Sequence, residues 1–163
     1  MDRLWSPWRL EYVARGEPGS GCIFCEATRS SESNALIVFE GSTAYIILNL
    51  YPYNNGHLMV VPYRHLATFG ALSIEEVTEV AVLVQRAEAA LTEAYRPHGF
   101  NVGVNVGKPA GAGVLEHLHV HIVPRWNGDT NFMTVIGDMR VLPENLGASA
   151  ERLKPIFARL ARP

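Results

Sequence analysis

Three of the chain's six histidines, His117, His119 and His121, alternate with Leu118, Val120 and Ile122 in the stretch HLHVHIVPRW. Along a strand, side chains point to opposite faces in turn. This spacing therefore sets three imidazoles on one face and three aliphatic groups on the other. Neighbouring imidazoles would stand about 6.5–7 Å apart at the backbone, from a rise of ~3.3 Å per residue. Two rings at that separation can converge on one metal ion or one phosphate group. A neutral imidazole is also a nucleophile and a proton donor or acceptor near neutral pH. A polar outer face with no chemistry is the plainer alternative. It fits one histidine better than an alternating row behind a glycine-rich loop.

That loop is GKPAGAGV, Gly107 to Val114. Glycines let backbone N–H groups turn inward and form an anion-binding nest. A glycine-rich loop is a weak signal by itself, and the histidines after it give it a candidate use as a phosphate cradle. Asn105, just upstream, adds an amide donor or is an outward-facing strand residue. The only cysteines, Cys22 and Cys25, form a C-x-x-C pair. That spacing serves zinc, redox exchange, or two reduced thiols packed as small hydrophobes. A redox pair of the thioredoxin type opens a helix behind a βαβ strand, and the surrounding sequence does not read that way.

The elements that must position these groups follow from pattern. Ala35–Gly41 reads as a strand, Gly41–Ser42 as a turn, and TAYIILNL as the antiparallel partner. YPYNNG is turn chemistry, and HLMVVPYRH supplies a third strand stopped near Pro62. Ser73 and Glu76 make a capping box for a helix with Val77, Val80, Ala81, Val84, Leu91 and Ala94 on one stripe, ending before Pro97. FNVGVNVG is a fourth strand and HLHVHIVPRW the last central one. A helix follows from Ser149 to Arg162, with Leu153, Ile156 and Leu160 on one side and Pro155 inside. The expected class is α+β: an antiparallel sheet with one long helix and a C-terminal helix.

At 163 residues the chain is expected to form one domain, with an extended arm over 1–20 and an extension over 127–163. Hydrophobic residues make up 48%, charged residues 18%, and the formal charge is −2, so no basic surface calls for nucleic acid. No apolar run approaches the roughly 20 residues of a membrane span, and MDRLWSPWRLEY reads as neither signal nor transit peptide. With so few cysteines, a cytoplasmic protein is expected.

HLHVHIV matches every position of the signature of the histidine triad (HIT) superfamily, His-φ-His-φ-His-φ-φ with φ apolar, and the chain resembles that superfamily from Cys22 to Trp126. CIFC resembles the family's opening strand, IILNLYPYNNGHLMVVPYRH its ribose-binding hairpin, and NVGKPAGAGV its phosphate loop. The resemblance implies a homodimer of HIT-like α+β protomers acting on a small nucleotide substrate at its α-phosphate. It implies His119 as the nucleophile, His121 at the leaving group, and His57 supporting the triad from the adjacent strand. It further implies Asn49 on the ribose, and Phe24, Ile47 and Met59 as walls of the base pocket. Gly111, Ala112, Gly113 and Asn105 would hold the non-bridging oxygens. Trp126 and the segment after it are candidates for closing over the ligand.

Some relatives pair a C-x-x-C with two histidines around zinc. Carried over, the set is Cys22, Cys25, His65 and His117, a closed structural Cys₂His₂ site that frees catalysis from any need for a metal. Relatives that cleave diadenosine triphosphate or nucleotide–amine bonds carry Gln where this chain has Ala112 and Gly113. The flanks LWSPWRLEY and RVLPEN resemble instead prokaryotic proteins related to diadenosine tetraphosphate phosphorylase. Three alternatives stay open: hydrolysis of other nucleotide conjugates, a catalytic metal on the histidine row, and nucleotide binding without turnover.

Overall fold

The computed structural model describes residues 21–29, 33–129 and 144–161. The expected N-terminal arm and the segment 130–143 lie outside the described residues. Five strands, β1 (Ile37–Glu40), β2 (Ala44–Leu48), β3 (Leu58–Pro62), β4 (Gly99–Gly103) and β5 (Val120–Arg125), form one antiparallel sheet in the order β1-β2-β3-β5-β4. The helices are α1 (Ile23–Ala27), α2 (Ile74–Tyr95) and α3 (Leu146–Leu160).

Alternation along the strands splits the apolar residues between two faces. On the back, Ile46, Leu48, Leu58, Val60, Val120 and Ile122 pack against Val80, Leu83, Ala87 and Leu91 of α2 and against Leu153 and Phe157 of α3. On the front, Ile37, Tyr45, Ile47, Met59 and Val61 form a smaller cluster closed by Phe24 and Ala27 of α1.

The capping box of α2 is present: Ser73 accepts from the Glu76 amide and Glu76 accepts from the Ser73 amide. Arg64 also grips Glu76 at 2.6 Å and holds its carboxyl down to about 2. The helix stops at Arg96, which turns left-handed at φ 47° because the following Pro97 disfavours helical backbone before it. Glu79 accepts hydrogen bonds from Ser42 N (2.7 Å), Thr43 Oγ1 (2.5 Å) and Thr43 N, binding α2 to the β1–β2 turn.

Several expectations need correction. CIFC is not a strand: Cys22 caps α1 and Ile23–Ala27 are helical, so the cysteine pair does open a helix. The residues that α2 buries include Leu83 and Ala87, and Ala81 and Val77 lie off that stripe. The strand β4 ends at Gly103 rather than Gly107, and β5 begins at Val120, leaving His117 to His119 on the segment that feeds it. The last helix starts at Leu146, capped by Asn145 Oδ1 on the Ala148 amide at 2.9 Å, and keeps Pro155 inside.

Candidate functional site

The tight loop between β2 and β3 places His57. Asn49 N–H bonds the His57 carbonyl at 2.9 Å, closing the loop, and Gly56 adopts φ +72° just before the histidine. A Cβ on Gly56 would come within 3.0 Å of Leu91 and Tyr95 of α2, so both the dihedral and the space require glycine there. His57 itself is fully buried.

Hydrogen bonds fix the tautomers of the row. His57 Nδ1 accepts from the Tyr53 amide at 3.1 Å and lies 3.4 Å from Asn49 Nδ2, so its proton sits on Nε2. That Nε2–H donates to His121 Nδ1 at 3.0 Å, which leaves the His121 proton on Nε2. His119 Nδ1–H donates to the His117 carbonyl at 2.9 Å, so its Nε2 keeps a lone pair. Among the described residues no hydrogen bond reaches that Nε2. Among the described residues no fully buried side-chain nitrogen or oxygen lacks a partner.

Burial keeps the row neutral. Desolvation, with His121 and His119 adding to it, lowers His57 to about 3. Desolvation followed by the His119 charge lowers His121 to about 4, and desolvation also lowers His119. The His119 and His121 rings meet edge-on, 4.8 Å between centroids, and the Tyr53 ring lies 4.7 Å from His57 and 5.9 Å from His121.

The other end of the row is different. His117 Nε2–H donates to the Pro62 carbonyl at 2.8 Å, so Nδ1 is bare and faces Cys22 Sγ at 3.2 Å and Cys25 Sγ at 3.6 Å. His65 Nδ1 stands 3.5 Å from Cys25 Sγ. These four ligand atoms all lie within 4.8 Å of one another and form a candidate metal-binding group. Zinc bonds of about 2.3 Å to sulfur and 2.0–2.1 Å to nitrogen give tetrahedral S···N edges of roughly 3.5 Å. The residues fit such an ion. Both cysteines are unpaired, and burial followed by Cys22 raises the Cys25 thiol.

Phe24, Ile47 and Met59 fall in the same front cluster, and the Phe24 ring sits 5.4 Å from His117 and 4.9 Å from His119. The Asn49 side chain is used within its loop, Oδ1 accepting from the Tyr51 amide at 2.9 Å. In the glycine-rich loop the amides of Gly111 and Ala112 turn back onto the Lys108 and Gly107 carbonyls at 3.0 and 3.3 Å. That loop has no open nest over three residues, and of the three only Gly113 keeps its amide out of these bonds. Asn105 lines a cavity of about 270 Å³ together with His121, Tyr53, Asn101 and Arg125. Trp126 is half-buried, does not line that cavity, and donates its backbone amide to Asp129 at 3.2 Å.

Sequence reasoning missed Tyr53, whose amide sets the His57 tautomer, and a clasp built on Asp129. Arg125 binds both Asp129 oxygens at 2.6 and 2.8 Å, and Asn54 Nδ2 donates to Asp129 at 2.8 Å and to the Pro124 carbonyl at 3.0 Å. The i, i+4 spacing of Arg125 and Asp129 was the available signal. The partner Asn54 is 75 positions away and gave none.

The family model described as the HIT domain matches residues 30–128, and the chain belongs to the HIT family. It is 43% identical over 167 residues to a protein of Mycobacterium tuberculosis strain H37Rv named AP-4-A phosphorylase, covering 98% of this chain and 86% of that one. Among solved structures, a zinc-bound histidine triad family protein from Mycobacterium smegmatis superposes with a TM-score of 0.69 at 29% identity, covering 86% of this chain and 95% of the other. A hypothetical histidine triad nucleotide-binding protein from Sulfolobus tokodaii gives a TM-score of 0.71 at 27% identity with the same coverage. Among the described residues no helix is long and apolar enough to cross a membrane.

Proposed function

We propose that the protein is an enzyme that cleaves dinucleoside polyphosphates by way of a nucleotidyl group carried on His119, and passes that group to inorganic phosphate. The observation that carries this reading is the His119 ring: Nδ1–H is held by a backbone carbonyl while Nε2 keeps its lone pair free of any hydrogen bond from the described residues. In the first step Nε2 attacks the α-phosphorus, a nitrogen–phosphorus bond forms, and the bond from phosphorus to the bridging oxygen breaks. The leaving oligophosphate takes that electron pair. In the second step a phosphate oxygen displaces the imidazole, so diadenosine tetraphosphate and phosphate give ATP and ADP. With water as acceptor the products would be ATP and AMP.

His121 would donate its Nε2–H to the bridging oxygen as a hydrogen bond and keep the proton, because its Nδ1 is already occupied by His57. An oligophosphate leaves as a stable anion and needs no more than that, whereas an amine must be protonated. This favours polyphosphate substrates over nucleoside phosphoramidates. The Gly113 amide and the Asn105 side chain are the candidate donors to the non-bridging oxygens, and the ring of Phe24 beside His119 is the candidate wall for the base. Asn49 Oδ1, already accepting from the Tyr51 amide, keeps a second lone pair, and Nδ2 keeps a second hydrogen, for a ribose hydroxyl.

The 43% identity to a protein named AP-4-A phosphorylase supports phosphate as the acceptor. Zinc at Cys22, Cys25, His65 and His117 would brace the segment that carries His119 and take no part in the displacement. A homodimer would cover the open edge of β4, where Val102 is half exposed. The deciding experiment is product analysis with diadenosine tetraphosphate, with and without phosphate, in EDTA. ADP appearing only with phosphate, together with an acid-labile adduct on His119, supports the reading. No turnover under any condition would sink it.

A further inference from the structure

The histidine row divides the front of the sheet into unlike halves. On the β2–β3 side lies the closed apolar cluster of Phe24, Ile47 and Met59. On the β4–β5 side lies the cavity of about 270 Å³, whose lining includes His121, Tyr53, Asn101, Gly103, Asn105 and Arg125. Small-molecule sites run to roughly 300–1,000 Å³, so this space suits a fragment of a dinucleotide rather than the whole.

Gly103 is the informative residue. It pairs with His121 across the β4–β5 ladder, so both residues face the same side. Its backbone does not adopt the left-handed conformation that asks for glycine, and an added Cβ would meet nothing within 4 Å. Glycine inside a strand weakens it and often marks a place where a ligand comes close. Among the described residues nothing fills the space it leaves.

The polar lining is also specific. Asn101 Oδ1 accepts from Arg125 Nη1 at 2.8 Å, which fixes the amide with Nδ2 as its donor end. Arg125 is neutralised by Asp129, so the cavity offers N–H donors with little net charge. Such a lining can hold an anionic fragment and still release it. In-line displacement puts the leaving oxygen on the side of phosphorus away from His119 Nε2, next to the His121 donor that lines this cavity.

We propose that the cavity between β4 and β5 is the subsite for the leaving half of the substrate, its oligophosphate and second nucleoside, and that Gly103 sets how large a leaving half is accepted. The inference rests on the proposed polyphosphate cleavage and is tested apart from it, by binding. In His119→Ala protein, the affinities for AMP and for diadenosine tetraphosphate are measured by calorimetry, with Gly103 intact or replaced, alongside the native mass of each variant. AMP lacks a leaving half and serves as the control.

Gly103→Leu is expected to weaken diadenosine tetraphosphate about 10-fold or more while AMP stays within about twofold, with Gly103→Ala intermediate. Asn101→Asp keeps the acceptor for Arg125 but sets a carboxylate against the oligophosphate, and should weaken the dinucleotide in a way that added salt relieves. Equal losses for both ligands, no loss for either, losses that track a change in native mass, or AMP binding with no dinucleotide binding would each overturn the proposal. Turnover by the His119-intact protein then decides the catalytic reading separately.

Discussion

His117 and His121 stand two residues to either side of His119, and they live in opposite chemical surroundings. His117 gives its Nε2 proton to a backbone carbonyl and turns a bare Nδ1 toward two thiols. His121 has its Nδ1 filled by a buried imidazole and turns an N–H toward open space. The sequence repeats one residue type at one spacing. What separates the roles is the partner of the second ring nitrogen, which sets whether the first one donates or accepts. One end can brace and the other can react because the partners come from different elements: α1 and the segment after β3 at one end, the β2–β3 loop at the other.

The largest effect should come from the residue between them. His119→Ala is expected to lower turnover of diadenosine tetraphosphate by roughly 10⁴-fold or more with little change in thermal midpoint, checked by steady-state kinetics and calorimetry. Loss of the reactive end alone should be smaller. His57→Ala leaves His121 free to change tautomer and should cost about 10- to 100-fold in kcat with KM nearly unchanged. A rise in KM with kcat intact would show that His57 serves binding instead.

The bracing end is expected to answer differently. Cys22→Ser should lower the thermal midpoint by several degrees in metal-loaded protein and leave none of that loss to be repeated by strong chelation. Bound zinc measured at one per chain in the wild type, and absent in the variant, would complete the comparison. If kcat fell as far as in His57→Ala while the midpoint stayed put, the two ends would not be distinct.

The pH response sharpens the same contrast. His57 and His121 are lowered to about 3 and about 4 by burial, so between those values and 6.5 the unfolded chain binds protons that the native chain refuses. Stability is therefore full above pH 6.5 and falls as the pH drops, by about 1.4 kcal/mol per pH unit for each histidine. Urea unfolding at pH 7.0, 6.0 and 5.0 measures this, and His57→Ala should flatten the slope. The smallest effect expected is that of Asp129→Asn, which loosens the clasp on the Asn54 loop and should cost about 1 kcal/mol of stability or less, the pair being partly exposed.

Much of this was legible in the sequence, for reasons that differ by element. The capping box, the α2 start and its stop before Pro97 depend on neighbours three or four residues apart, and all three are present. The fate of CIFC was not legible. Four residues have too short a period to tell helix from strand, whereas the family resemblance had already brought the two thiols together with His65 and His117. The phosphate loop shows a subtler gap. Its glycines permit a nest, but whether Gly111 and Ala112 spend their amides on Lys108 and Gly107 depends on dihedrals that composition does not encode. The tautomers of the row were likewise hidden, since the donor to His57 is the backbone of Tyr53 and any residue but proline would supply it.

Gly56 lies so close to α2 that a single added methyl carbon would press on Leu91 and Tyr95. The loop that aims the buried imidazole leans on the last turns of the long helix, on the side of the sheet away from the ligand. An altered side chain at either helix position would reach no substrate atom and would still tilt the reactive ring. Changes in rate should therefore turn up among variants of the rear layer, where a survey of pocket-lining residues would never look.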